Sequence, residues 1–453
     1  MHSLAASYKY AFVVIVAYLV ELLLLTRFIG VFGPYVSPLI FFLSSMVIGI
    51  VGIRMAFLKG GSLFTTSGQI KTLRQGQMSV SSAYSKLPGD ITLIICLAVS
   101  SVLIFTLVKQ HPVDVNHSDI IPQTQVLVGR FLHKQFPYAI ISNWGYDLFP
   151  TYEPFQWLPY IIAENMRLDY RLFGFAFLLF VYILYFSYFR KKLSGTTISL
   201  MLALFFLPVL FIFYFQSSVY YNSLENLIVG YYLLLAFAIF TDSIFLIGVA
   251  LMLCLLSRYS LILWLPLFLF VIFRSKSRKQ AFLVFAIFSL GFLVFYFLPF
   301  LSKDATIFMK GYQYHSAAAL AEWNAQSWQQ PGDKPFQLFR GLGFAGFFYD
   351  QSSGTIQEKL YKYRIVHLAL SSVTVLLLTA LFYLKRKQLD WRIFSIASLK
   401  ISLAVFYSFI QIPYDYLFLT VIYLSIPIVI ISLWYVNQSA HYRVSKVVSP
   451  DDQ

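Results

Sequence analysis

Runs of about twenty apolar residues, separated by short basic clusters, recur along most of the chain. They constrain its fold more than any other feature. A helix crossing a bilayer needs about 20 mostly apolar residues, because the hydrocarbon core is roughly 30 Å thick. Inside lipid every backbone N–H and C=O must find its partner within the protein, which a helix achieves alone. By that rule the sequence predicts twelve spans, near 10–31, 35–57, 91–108, 171–189, 196–215, 224–241, 243–257, 260–273, 281–301, 365–383, 391–410 and 416–436. The runs between 216 and 273 are short, with Asp242 and Arg258 as their only breaks, and a re-entrant pair is the alternative there. The expected fold class is an all-α polytopic membrane protein, with residues 1–453 forming one transmembrane unit.

Composition excludes a soluble body. Only 12% of residues are charged and 59% are hydrophobic, whereas soluble chains carry about 25% charged residues. Aromatic residues reach 19%, and many should face lipid or form interfacial belts. A net charge of +15 raises the question of nucleic acid. The basic residues instead fall in clusters between apolar runs, as cytoplasmic loops do. No nucleic-acid partner is expected; the bilayer is. Cys96 and Cys254 both lie inside apolar stretches, so no disulfide is expected.

Loop charge predicts the orientation. Lys59, Lys71, Arg74 and Lys86 lie between the second and third spans, and Arg190, Lys191 and Lys192 follow the fourth. Arg274, Lys276, Arg278 and Lys279 follow the eighth, and Lys385, Arg386 and Lys387 follow the tenth. All fall on one side if the N-terminus is cytoplasmic, and the C-terminus then lies there too. The first run is too long for a signal-peptide core, contains Glu21 and leads straight into a second span, so it reads as a span. The expected location is a bacterial inner (plasma) membrane, with both termini cytoplasmic.

Two long segments, 110–170 and 302–364, then fall outside. They hold most of the acidic residues, together with Trp144, Trp157, Trp323 and Trp328, and Trp264 falls at the bilayer edge. Long loops rich in polar and aromatic groups are usually functional. In the first, Asp114 and Asp119 stand just past the third span. The following stretch places Leu127, Val128, Phe131 and Leu132 on one face, which predicts a short interfacial helix. Such a helix would hold Asp119 at headgroup depth. Asp119 reads either as a general base or as the N-cap of that helix. Asp114 is the second candidate base, and His117 between them either tunes one of them or is plain surface.

Asp119, the run Phe136-Pro137-Tyr138, Tyr152-Glu153-Pro154, Pro159, and Asp169 with Arg171 together resemble the GT-C membrane glycosyltransferases. The nearest branch is the polyprenyl-phosphate-mannose-dependent mannosyltransferases and their bacterial relatives. The closest match covers about a seventh of the chain; the multi-span layout with large outer loops extends it loosely over the rest. The resemblance implies transfer of a sugar, mannose by default, from a polyprenyl-phosphate donor to a glycolipid or glycan acceptor. It implies inversion at the anomeric carbon, with the acid at the Asp119 position as base. The phosphate is already a good leaving group, so one base and cationic help suffice; potential metal ligands are not clustered in the sequence, so no metal is expected, and no cofactor either.

Arg258, followed by Pro266, matches a cation that such relatives place near the phosphate; the alternative is a snorkelling interfacial anchor. Asn226 is all that this chain keeps of the relatives' Gly-Gln-x-Asn, while Glu225 reads as a helix cap. The second outer segment begins as a predicted helix from His315 to Trp323. Its Tyr312, Tyr314, His315, Glu322, Trp323 and Trp328 are residue types that stack on or hydrogen-bond to sugars, and they equally suit an aromatic belt. Lys310 and Arg340 are further phosphate candidates, Tyr152 and Glu153 belong to the first loop's motif, and Asp415 with Tyr416 sits at the last span. Glu21 and Lys400 lie inside spans, to pair or to snorkel.

No Walker loop, dinucleotide fingerprint, zinc spacing or serine elbow is present. The lack of a nucleotide-sugar domain fits a lipid-linked donor. Asn116-His117-Ser118 is a sequon, a triplet that also arises by chance. Two other readings stay open. A transporter or flippase of lipid-linked saccharides would favour internal repeats and acidic residues on several spans. A polysaccharide polymerase would favour basic outer-loop residues over an acidic base.

Overall fold

The computed structural model describes residues 2–28, 32–58, 87–142, 144–325 and 334–448. Lys59, Lys71, Arg74, Lys86 and Trp328 lie outside them. The described chain is helical, with one isolated bridge between Ile141 and Leu148.

Eight helices among the described residues are long and apolar enough to cross a membrane: Ser7–Thr26, Gly33–Phe57, Leu87–Gln110, Tyr170–Phe189, Gly195–Phe215, Arg278–Leu301, Ile356–Lys385 and Asp415–Gln438. By length and composition the chain is a multi-pass membrane protein. The other four expected spans fall on helices outside that set. Three are shorter apolar helices, Glu225–Thr241, Ile244–Leu255 and Leu265–Ser275, of 17, 12 and 11 residues. The fourth, Trp391–Ser408, has 18 residues but carries Arg392 and Lys400.

Two of these four helices are enclosed by protein. Every residue from Glu225 to Phe240 is buried, and Trp391–Ser408 is buried along nearly its whole circumference. By contrast Leu87–Gln110, Arg278–Leu301 and Ile356–Lys385 leave broad apolar faces exposed, as lipid-facing helices do. Helix Gly33–Phe57 lies against Trp391–Ser408 through two glycines. A Cβ at Gly49 would fall 2.2 Å from Ile401 Cγ1, and one at Gly52 2.8 Å from the Ala397 Cβ. This is the close approach that small residues permit between membrane helices.

Polar side chains stop and start the helices. Asp169, Ser194 and Asp390 each accept a backbone N–H at their N-cap, and Ser277 with Gln280 and Thr355 with Glu358 form capping boxes. Deeper in the bundle, Glu21 and Lys400 resolve as partners. Lys400 Nζ donates to Glu21 Oε1 at 2.6 Å and to the Val421 carbonyl at 2.8 Å. Ser425 Oγ donates to Glu21 Oε2 at 2.5 Å, and Ser45 donates to Oε1. Both charged side chains are fully buried, so neither snorkels. Cys254 is buried, Cys96 is half-buried, and both are free.

Candidate functional site

The first long segment is folded by its own polar groups. Asp114 closes a tight turn: its Oδ1 accepts from Asn116 N–H at 2.9 Å and from Asn116 Nδ2 at 3.0 Å, and its Oδ2 meets His117 Nδ1 at 3.0 Å. The Asn116 backbone N–H, with His117 and the Asn116 amide behind it, holds this carboxyl below its ordinary range. Ser118 Oγ then donates to the Asn222 carbonyl at 2.8 Å and ties the segment to the bundle. Helix Ile120–Leu132 forms as expected, with Leu127 and Val128 fully buried but Phe131 and Leu132 partly exposed. Arg130 closes the return of the chain by donating to the carbonyls of Pro137 at 3.1 Å and Ile140 at 2.9 Å, and to that of Ala139.

Asp119 stands at the N-cap position, yet its side chain makes no capping bond. Only its carbonyl joins the helix, accepting Gln123 N–H at 2.8 Å. The carboxylate turns away and accepts the Tyr146 hydroxyl at 3.2 Å on Oδ2. Burial pushes this carboxyl up, and the Tyr146 bond pulls it partly back. Tyr152, Tyr314, Tyr414 and Tyr416 all lie within electrostatic reach of it. Both long segments and the end of the last span therefore converge on one acid.

Arg258 shares Tyr152 and Tyr416 with Asp119 as electrostatic neighbours. Its Nη2 donates to Glu225 Oε1, while its Nε is buried without an acceptor. Glu225, in the first turn of helix Glu225–Thr241 as expected, is also the ion partner of Arg258. Asn226 beside it is buried, and its Oδ1 also lacks a partner. Tyr414 donates to Glu322 Oε1 at 3.1 Å and stacks on Tyr416, with ring centroids 5.5 Å apart and planes 9° from parallel. The result is an acid raised by burial, a guanidinium with a free donor, and a set of tyrosine hydroxyls around both.

Several residues expected here have other partners. Asp114 belongs to its exposed turn with Asn116 and His117. Lys310 is paired with Asp304 at 2.7 Å. Arg340 lies 3.6 Å from Asp415, whose Oδ2 also accepts Gln216 Nε2 at 2.9 Å. Trp323 is fully buried against Tyr349 and Tyr363, and its Nε1 donates to the Gln411 carbonyl at 2.9 Å. It has no face left for a sugar. Trp264 is likewise buried, donating to Ser398 Oγ at 3.0 Å. Tyr312 and His315 are exposed on helix Ile307–Asn324.

Glu153 faces elsewhere. It is buried at 4% exposure, its Oε2 has no hydrogen-bond partner, and burial pushes its carboxyl up to about 7 despite the nearby hydroxyls of Tyr259 and Tyr296. Sequence reading missed Tyr146 altogether, because a tyrosine in an irregular loop carries no periodic signal. Among the described residues no group of three or more His, Cys, Asp or Glu could hold a metal. No known protein family matches the chain, and no curated protein does either.

Proposed function

We propose that the chain is a glycosyltransferase that uses a polyprenyl-phosphate sugar, mannose by resemblance, and works at the extracytoplasmic face with both termini in the cytoplasm. The observation that carries this reading is the Asp119 carboxylate, which leaves its capping role and joins Tyr146 within a group of tyrosines that also adjoins Arg258. An acceptor hydroxyl on a glycolipid or glycan attacks the anomeric carbon. The bond from that carbon to the phosphate oxygen breaks, the lipid phosphate leaves with the electron pair, and Asp119 takes the hydroxyl proton. A half-buried carboxylate with a raised proton affinity is a better base than an exposed one at neutral pH. Arg258 Nε is the donor available for the leaving phosphate, and the tyrosine hydroxyls hydrogen-bond the sugar.

The test is transfer from radiolabelled polyprenyl-phosphate mannose, and from a panel of other polyprenyl-phosphate sugars, to a total-lipid extract. Wild type should give a labelled product, and Asp119→Asn should lose about two to four orders of magnitude in rate while inserting normally. Equal rates for the two proteins, or no transfer from any donor, would remove the reading.

A further inference from the structure

Two pairs of neighbouring residues divide between two sides of the protein. Tyr152 and Arg258 belong to the group around Asp119, while Glu153 and Tyr259, the next residue in each case, line a separate cleft. Arg258 and Glu153 have extended backbones, where successive side chains point opposite ways. The cleft has a volume of about 390 Å³, within the size range of small-molecule sites. Its walls are apolar, with Tyr259, Phe288, Phe292, Tyr296 and Phe308 supplying aromatic rings, and Glu153 is the only charged residue among the described residues that line it. Among the described residues no Lys, Arg or His lines it. Tyr259, Ile262, Phe292 and Phe308 are exposed at its rim, and Phe292 belongs to the lipid-facing helix Arg278–Leu301.

A buried carboxylate with a free oxygen inside aromatic walls has the chemistry that recognises an organic cation. The carboxylate neutralises the charge, and ring faces attract it through their quadrupoles. An anion meets no cation there, and a plain hydrocarbon leaves Oε2 unsatisfied. We propose that this cleft binds a bilayer lipid whose headgroup ends in an ammonium, such as phosphatidylethanolamine. The ammonium meets Glu153 Oε2, the chains lie along the exposed apolar face of Arg278–Leu301, and exposed Lys303, between the lining residues Leu301 and Ala305, meets the lipid phosphate at the rim. This site does not depend on glycosyl transfer, since its occupant is recognised by charge opposite to that of a phosphate donor.

Full-length protein in nanodiscs of equal phosphatidylethanolamine and phosphatidylglycerol, released into mild detergent, tests it by native mass spectrometry of the retained lipid. The two lipids share the phosphate and chains and differ in the ammonium. Wild type should retain phosphatidylethanolamine with a preference of about tenfold, worth about 1.4 kcal/mol. Glu153→Gln should retain both lipids equally. Ala305→Trp, which fills the cleft from an exposed turn and leaves Glu153 in place, should lose the preference as well, and it decides the matter alone if the first variant fails to insert. Equal retention by wild type, or a preference that survives Ala305→Trp, would overturn the proposal.

Discussion

Glu153 gives the protein a pH-dependent stability that can be worked from its surroundings. Burial moves its carboxyl from an ordinary 4.5 to about 7. The groups facing it are the hydroxyls of Tyr138, Tyr259 and Tyr296, none of which changes charge in this interval. At 1.36 kcal/mol per pH unit, holding the charged form in the fold costs about 3 kcal/mol. The unfolded chain releases this proton near pH 4.5, whereas the folded chain keeps it to about 7. Between those values the folded state binds more protons, so stability falls as pH rises, and above about 7 the loss is complete. Glu153→Gln is neutral throughout and keeps the shape. It should match wild type below pH 4.5 and exceed it by about 3 kcal/mol at pH 8, read as a difference in thermal midpoint between the two proteins in detergent across pH 4 to 8. Other titrating groups are common to both proteins and cancel. Melting curves that stay a constant distance apart over that range would refute the reasoning. Added phosphatidylethanolamine should shrink the gap at pH 8, because a bound ammonium stabilises the charged carboxylate.

Two further outcomes follow from the pairings. Tyr146→Phe removes the bond that pulls the Asp119 proton affinity down, so transfer should lose more activity at pH 6 than at pH 8 as its acid limb moves upward. A uniform loss across pH would mean that Tyr146 only supports the loop. Lys400→Met strands the fully buried Glu21 carboxylate and should cost about 3–5 kcal/mol, seen as a lowered thermal midpoint. Much of that cost should return when Glu21→Leu is added, and no recovery in the double variant would contradict the pair.

The spans and the helix Ile120–Leu132 were legible because hydropathy and helical period are local signals, carried by a few consecutive turns. The same signal cannot tell a run wrapped in protein from one facing lipid. Glu225–Thr241 reads as a short span and is a central strut, buried on every face. Charges were harder still. Arg258, Lys310 and Arg340 looked alike as phosphate ligands, and what separates them is their partners. Lys310 bonds to Asp304, six residues away, and Arg340 approaches Asp415, while Arg258 meets Glu225 and keeps a buried Nε without an acceptor. The pairings of Arg258 and Arg340 depend on which elements pack together, and that is set by long-range contacts with no local pattern. The same holds for Glu153, which looked like one motif with Tyr152 because the two are adjacent in sequence. In extended backbone adjacency means opposite faces, so the residue beside the candidate active site opens instead on the lipid-facing cleft.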